Sequence, residues 1–126
     1  MTGRPAPDVT GHPTPGVIGV GVDLLRIDRM RSILAGPARD GFVASVFTER
    51  EVAVADATGD PATAYATRFA VKEAVFKCFH TGVAPGDQLR DIEVWSDRVG
   101  APHVTLSGRF RALANRRHAR APQVSV

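Results

Sequence analysis

Within RFAVKEAVFKCF, Arg68 to Phe79, three charged residues, Lys72, Glu73 and Lys77, interrupt a run of apolar and aromatic side chains. On a helix, residues three and four apart are neighbours. Tyr65, Phe69, Lys72, Phe76 and Phe79 therefore share one stripe, and Ala66, Ala70, Glu73, Lys77 and His80 share the stripe beside it. The first stripe is a core face that Lys72 interrupts. The second sets a carboxylate and an ammonium one turn apart, beyond two small alanines, where both can face a ligand. Glu73 and Lys77 can equally form an ordinary surface ion pair worth about 0.2–0.5 kcal/mol, and Lys72 can lay its stem along the aromatics with its ammonium in water. A further carboxylate, Asp23, ends the stretch VIGVGVD. A carboxylate at a strand end and another on a packed helix can converge on one hard cation. Magnesium suits that arrangement because it takes one or two protein carboxylates and leaves positions for water and substrate phosphates. Lys77 would add positive charge for a phosphate, while Asp23 has helix capping as its alternative role.

These side chains need elements to hold them. VIGVGVD, Val17 to Asp23, reads as a strand from its Val and Ile content, and its two glycines imply close packing against it. In LLRIDRMRSILAGP, Ile27, Met30, Ile33 and Leu34 recur at helical spacing, with Gly36 and Pro37 as the stop. FTEREVAVA carries a capping box from Thr48 to Glu51. Asp60 followed by Pro61 opens the longest helix, over roughly 61–79, and Gly82, Pro85 and Gly86 close it. DIEVWS and HVTL are β-type runs joined by DRVGAP, a hairpin signal; SGRFRALANRRHA returns to helical spacing with Ser107 as its cap, and QVSV begins another strand. The order of elements predicts an α+β fold with helices packed on a small antiparallel sheet.

A chain of 126 residues has the length of a single domain, and 44% hydrophobic content is enough for a compact core. The first sixteen residues hold four prolines and three glycines and read as a disordered arm, which leaves 17–126 as the folded unit. The net charge of +3 mildly favours an acidic or phosphorylated partner. Cys78 is the sole cysteine, which excludes an internal disulfide and a cysteine-based zinc site. No apolar run approaches the roughly 20 residues of a membrane-spanning helix, and the N-terminus lacks the apolar centre of a signal peptide. A soluble cytoplasmic protein is expected.

Four stretches together carry a family resemblance. IGVGVDLLRIDRM, FTEREV, RFAVKEAVFKCFHTGV and DIEVWSDRVGAPHVTLSG, in this order and separation, resemble the opening strand and helix, next helix start, signature helix and hairpin of the holo-acyl-carrier-protein synthases, the small 4'-phosphopantetheinyl transferases. The resemblance runs from about Ile18 to the last residue. It implies transfer of the 4'-phosphopantetheine arm of coenzyme A to a serine of an apo acyl carrier protein, with release of adenosine 3',5'-bisphosphate, in the setting of fatty acid and lipid biosynthesis. It also implies that family's fold and a homotrimer with active sites between neighbouring subunits. By this resemblance Asp23 and Glu73 hold magnesium against the pyrophosphate, and Asp23, Glu73 and Lys77 are the catalytic residues. Lys77, Lys72, Arg68, Thr81 and Gly82 are placed on coenzyme A, and Arg26 and Arg29 on the acidic carrier protein. Glu73, directly or through a metal-bound water, is the implied base for the serine hydroxyl.

The chain departs from the pattern at three places. His80 stands where family members usually have a glycine, and Phe76 where they often have a serine. QVSV resembles the start of the last hairpin, and the chain stops before the Ser/Thr-His pair that normally follows, so the last strand region is expected to be missing. Two rival readings follow. One is a homologue that binds coenzyme A or a nucleotide without catalysis. The other is a small nucleic-acid-binding domain resting on GRFRALANRRHAR, which has five arginines in thirteen residues but Phe110 as its only aromatic besides His118.

Overall fold

The computed structural model describes residues 22–79 and 87–118. The expected N-terminal arm, the strand before Val22, the positions His80, Thr81 and Gly82, and the terminal QVSV lie outside the described residues.

Helix α1 (Leu24–Ala35) starts at Asp23, whose carboxylate accepts the backbone N–H of Arg26 at 2.8 Å. The capping alternative for Asp23 is thus the one realised at this helix start. Helix α2 (Arg39–Val46) has no counterpart in the sequence reading. It is short, carries Gly41 in its interior and has no side-chain cap, so its local signals are weak. Burial of Val43 and Val46 holds it in place. Helix α3 (Glu49–Asp56) has the expected capping box: Thr48 Oγ1 accepts the Glu51 N–H at 3.2 Å, and Glu51 Oε1 accepts the Thr48 N–H at 2.8 Å. Helix α4 (Pro61–Cys78) opens as read, with Pro61 at the first turn and the Asp60 carboxylate accepting the Thr63 N–H at 3.3 Å.

A short 3₁₀ turn (Leu89–Asp91) leads into the hairpin of β1 (Ile92–Ser96) and β2 (Pro102–Leu106). The strands are antiparallel, with Ile92 opposite Leu106 and Val94 opposite Val104. Asp97 builds the turn by accepting the N–H groups of Val99 at 3.0 Å and Ala101 at 2.9 Å. Gly100 takes φ +87°, which a side chain would strain. Helix α5 (Gly108–His118) follows. Ser107, expected as its cap, directs its hydroxyl instead to the Asp91 carbonyl at 3.3 Å.

Two apolar cores result. Met30, Val43, Val46, Phe47, Ala55, Tyr65 and Ala66 join α1, α2, α3 and the first half of α4. Val71, Val75, Phe79, Ile92, Val94, Phe110 and Leu113 join the second half of α4 to the hairpin and α5. Helix α4 belongs to both cores, and Lys72 lies beside their junction. The expected α+β arrangement of helices on a small antiparallel sheet is what the described residues form.

Candidate active site

An α-helix turns roughly 100° per residue, so the charges of α4 cannot all point one way. Ala66, Phe69 and Glu73 share the face turned toward α1, where they line a cavity of about 490 Å³. Met30 and Ile33 of α1 and Phe42 of α2 supply its apolar wall, and Asp23, Arg26 and Arg29 its charged one. The two carboxylates that the sequence set 50 positions apart, Asp23 and Glu73, thus border one concavity.

Arg26 connects them. Its backbone N–H goes to Asp23 Oδ1 at 2.8 Å, and its guanidinium Nη2 donates to Glu73 Oε1 at 2.7 Å. The sequence reading put Arg26 on the carrier-protein surface; the structure turns its guanidinium onto Glu73. Arg29 is exposed and lines the same cavity. Lys77 is exposed in the last turn of α4, one turn beyond Glu73, where a cation is favourable for the helix dipole.

Lys72 and Arg68 belong to another face. Lys72 is fully enclosed, with its ammonium 2.8 Å from Glu51 Oε1 and further hydrogen bonds to the carbonyls of Leu89, at 3.1 Å, and Ile92. The Lys72 ammonium is therefore committed inside the fold in this structure, and the alternative of a snorkelling lysine with its ammonium in water is corrected. Burial pulls this ammonium below its ordinary 10.5, and the Glu51 carboxylate opposes that shift. Glu51 Oε2 also accepts the Val94 N–H at 2.9 Å, so one buried pair ties α3, α4 and β1 together. Arg68, one turn before Lys72, turns Nη1 back to the Ala64 carbonyl at 3.1 Å, and its buried Nε has no hydrogen-bond partner among the described residues. Burial lowers the Arg68 pKa, with Glu51 and Tyr65 opposing. Arg68 is not among the described residues that line the cavity with Asp23 and Glu73.

Two features escaped the sequence reading. One is Glu51, read only as part of a cap; a lysine on an aromatic stripe was the available signal that a buried acid had to exist nearby. The other is the apolar wall at Phe42, carried by the helix whose local signals are weakest. The Phe76 departure also has its physical reason here. Its ring packs at 5.5 Å from that of Phe110, so the position serves the second core. Phe110 is itself fully buried, which removes the aromatic that a base-stacking role for α5 would need.

Among the described residues, no three His, Cys, Asp or Glu side chains gather as a metal cluster. Magnesium does not require one. The hard oxygen donors of Asp23 and Glu73 on one cavity fit an ion that takes one or two protein carboxylates and completes its shell with water and phosphate. No helix among the described residues is long and apolar enough to cross a membrane.

The family model described as the 4'-phosphopantetheinyl transferase superfamily matches residues 19–124. Over 93 residues the chain is 43% identical to a holo-[acyl-carrier-protein] synthase of Myxococcus xanthus, covering 74% of this chain and 71% of that one. It is 36% identical over 110 residues to a protein of the same name from Syntrophus aciditrophicus, covering 87% and 85%. Among solved structures, the holo-[acyl-carrier-protein] synthase from Neisseria meningitidis is similar with a TM-score of 0.60 and 26% identity, over 77% of this chain and 74% of that one. The holo-ACP-synthase from Plasmodium yoelii gives a TM-score of 0.53 and 27% identity, over 71% and 68%.

Proposed function

Because the chain belongs to the 4'-phosphopantetheinyl transferase superfamily, we propose that it acts as a holo-acyl-carrier-protein synthase. It transfers the 4'-phosphopantetheine arm of coenzyme A to a serine of an apo acyl carrier protein. The serine oxygen forms a bond to the phosphorus that bears the pantetheine arm, the bond from that phosphorus to the bridging oxygen breaks, and adenosine 3',5'-bisphosphate leaves. The observation that carries the reading is the meeting of Asp23 and Glu73 on one cavity between α1 and α4.

The residues of this chain divide the work. Among the described cavity-lining side chains only Asp23 and Glu73 are carboxylates, and Asp23 Oδ1 accepts the N–H that starts α1. Glu73, carried by the packed helix α4, is the group to which we assign uptake of the serine proton. The apolar wall of Met30, Ile33 and Phe42 keeps part of the cavity dry, which strengthens the charges at its edge. Lys77, followed in sequence by Thr81 and Gly82, binds the phosphates of coenzyme A. Arg29 faces the acidic carrier protein and steers its approach. Asp23 and Glu73 would hold magnesium, which when bound supplies charge neutralisation on the phosphoryl oxygens and alignment of the attack. The working assembly is a homotrimer in the cytoplasm, and Leu24 and Leu25, 78% and 71% exposed beside the cavity, are apolar surface that an assembly or a docked carrier would cover.

The test is direct. Purified chain, magnesium, coenzyme A and apo acyl carrier protein are incubated, and the carrier is weighed by mass spectrometry for the added arm. Glu73→Gln and Asp23→Asn are each expected to slow transfer by about 10²- to 10⁴-fold. Transfer by the wild type that both variants retain would remove the assigned site, and coenzyme A binding without transfer to any carrier would favour the binding-only reading.

A further inference from the structure

The two carboxylates of the site are bound by one and the same residue. Arg26 is the third residue of α1, so its backbone N–H faces the capping carboxylate of Asp23, while its side chain reaches α4 and donates to Glu73 Oε1 at 2.7 Å. That separation is at the short end of the range for a charged N–H···O pair. Two ion pairs of α4 among the described residues differ in kind. Lys72–Glu51 is sealed, with side chains 0% and 1% exposed, and cannot exchange partners without unfolding its surroundings. Arg26–Glu73 is open, with side chains 48% and 31% exposed, and water reaches both partners. An open pair of this sort is weakly held and can be replaced by a stronger cation.

Resting on the reading of Asp23 and Glu73 as the magnesium pair, we infer that Arg26 is an internal competitor for Glu73, whose guanidinium exchanges with the divalent cation on that carboxylate. A guanidinium seated on Oε1 occupies one face of the carboxylate and repels a second cation approaching the other. Exchange frees the guanidinium within a cavity that Arg29 also lines, so two arginines become available to an anionic ligand as the metal settles. Arg26 thus lowers the affinity for the bare ion and makes the site favour an ion that arrives together with phosphate. It is a positioning residue, since it acts on the reaction through Glu73.

The experiment measures manganese, a paramagnetic divalent probe, binding to the full chain through the electron spin resonance signal of the free ion. Wild type, Arg26→Gln and Glu73→Gln are compared, with circular dichroism confirming helix content. Arg26→Gln leaves the backbone N–H that Asp23 caps, so α1 keeps its start. The expected result is manganese binding about fivefold tighter in Arg26→Gln than in wild type, the factor that corresponds to the upper range of an exposed ion pair. Equal or weaker binding in Arg26→Gln, with Glu73→Gln abolishing binding, would overturn the competitor role and leave the metal pair standing. If Glu73→Gln binds manganese as well as wild type, or if neither wild type nor Arg26→Gln binds it, the metal assignment itself fails, and the role of Arg26 with it.

Discussion

Replacing Lys72 by Met tests whether the most enclosed charge among the described residues is structural. The substitution keeps a flexible stem of similar length and removes the ammonium. It leaves Glu51, 1% exposed in its side chain, with the N–H groups of Thr48 and Val94 as its remaining partners. Breaking one side of a buried pair costs about 3–5 kcal/mol, and those two surviving donors place the expected loss near the lower end, about 3 kcal/mol. A domain of this kind has roughly 5–15 kcal/mol in total, so the loss is a large share of it. With urea slopes of about 1–3 kcal/mol per molar, the unfolding midpoint should fall by about 1–3 M. Trp95, the sole tryptophan, lies on β1 next to the Val94 N–H that Glu51 accepts, and its fluorescence reports the transition at one fixed protein concentration. The double variant Lys72→Met/Glu51→Gln removes the orphaned charge and should recover at least about 1 kcal/mol of the loss. A loss under about 1 kcal/mol, the range of an exposed pair, would refute the buried-pair reasoning. An unchanged midpoint with a raised KM for coenzyme A would return Lys72 to the ligand.

Three further outcomes follow from other residues. The phenol of Tyr65, the only tyrosine, is pushed up to about 12 from 10.0, first by burial and then by its hydrogen bond to Asp56. The folded chain keeps that proton where the unfolded chain has released it, so the fold loses stability as pH rises from 10 toward 12; a phenolate absorbance midpoint at 10 in the folded protein would contradict this burial. Asp60 and Asp97 are held below the ordinary 3.8, chiefly by side-chain hydrogen bonds with Thr63 and His103 respectively. Because the unfolded chain takes up these protons first, their contribution is complete above 3.8 and is lost as pH falls through the folded values, and Asp60→Asn with Asp97→Asn should flatten the acid limb of the stability curve. Phe110→Ala empties a fully buried position whose ring lies 5.5 Å from both Phe76 and Phe79, and should cost about 3–5 kcal/mol in the same urea assay.

Several features that depend on neighbours along the chain were legible in the sequence. The start of α3 follows from Thr48 and Glu51 closing hydrogen bonds within three residues, that of α4 from Asp60 and Pro61, and the hairpin from two β-type runs around Asp97 and Gly100. That Asp23 and Glu73 border one cavity agrees with the convergence expected of a carboxylate before one helix and another on a packed helix, and the helical period placed Glu73 beside Ala66 and Ala70. Tertiary structure decided where the remaining charges went. Helix α2 depends on burial of Val43 and Val46, which no cap or propensity announces. Lys72 is adjacent in sequence to Glu73 yet pairs with Glu51, Arg68 turns back onto the Ala64 carbonyl, and Arg26 reaches Glu73 across 47 positions. The reason is physical: a cap or turn is fixed by local geometry, whereas an ion pair forms wherever packing brings two elements together, and the desolvation that makes it sealed or open exists only after the core has closed.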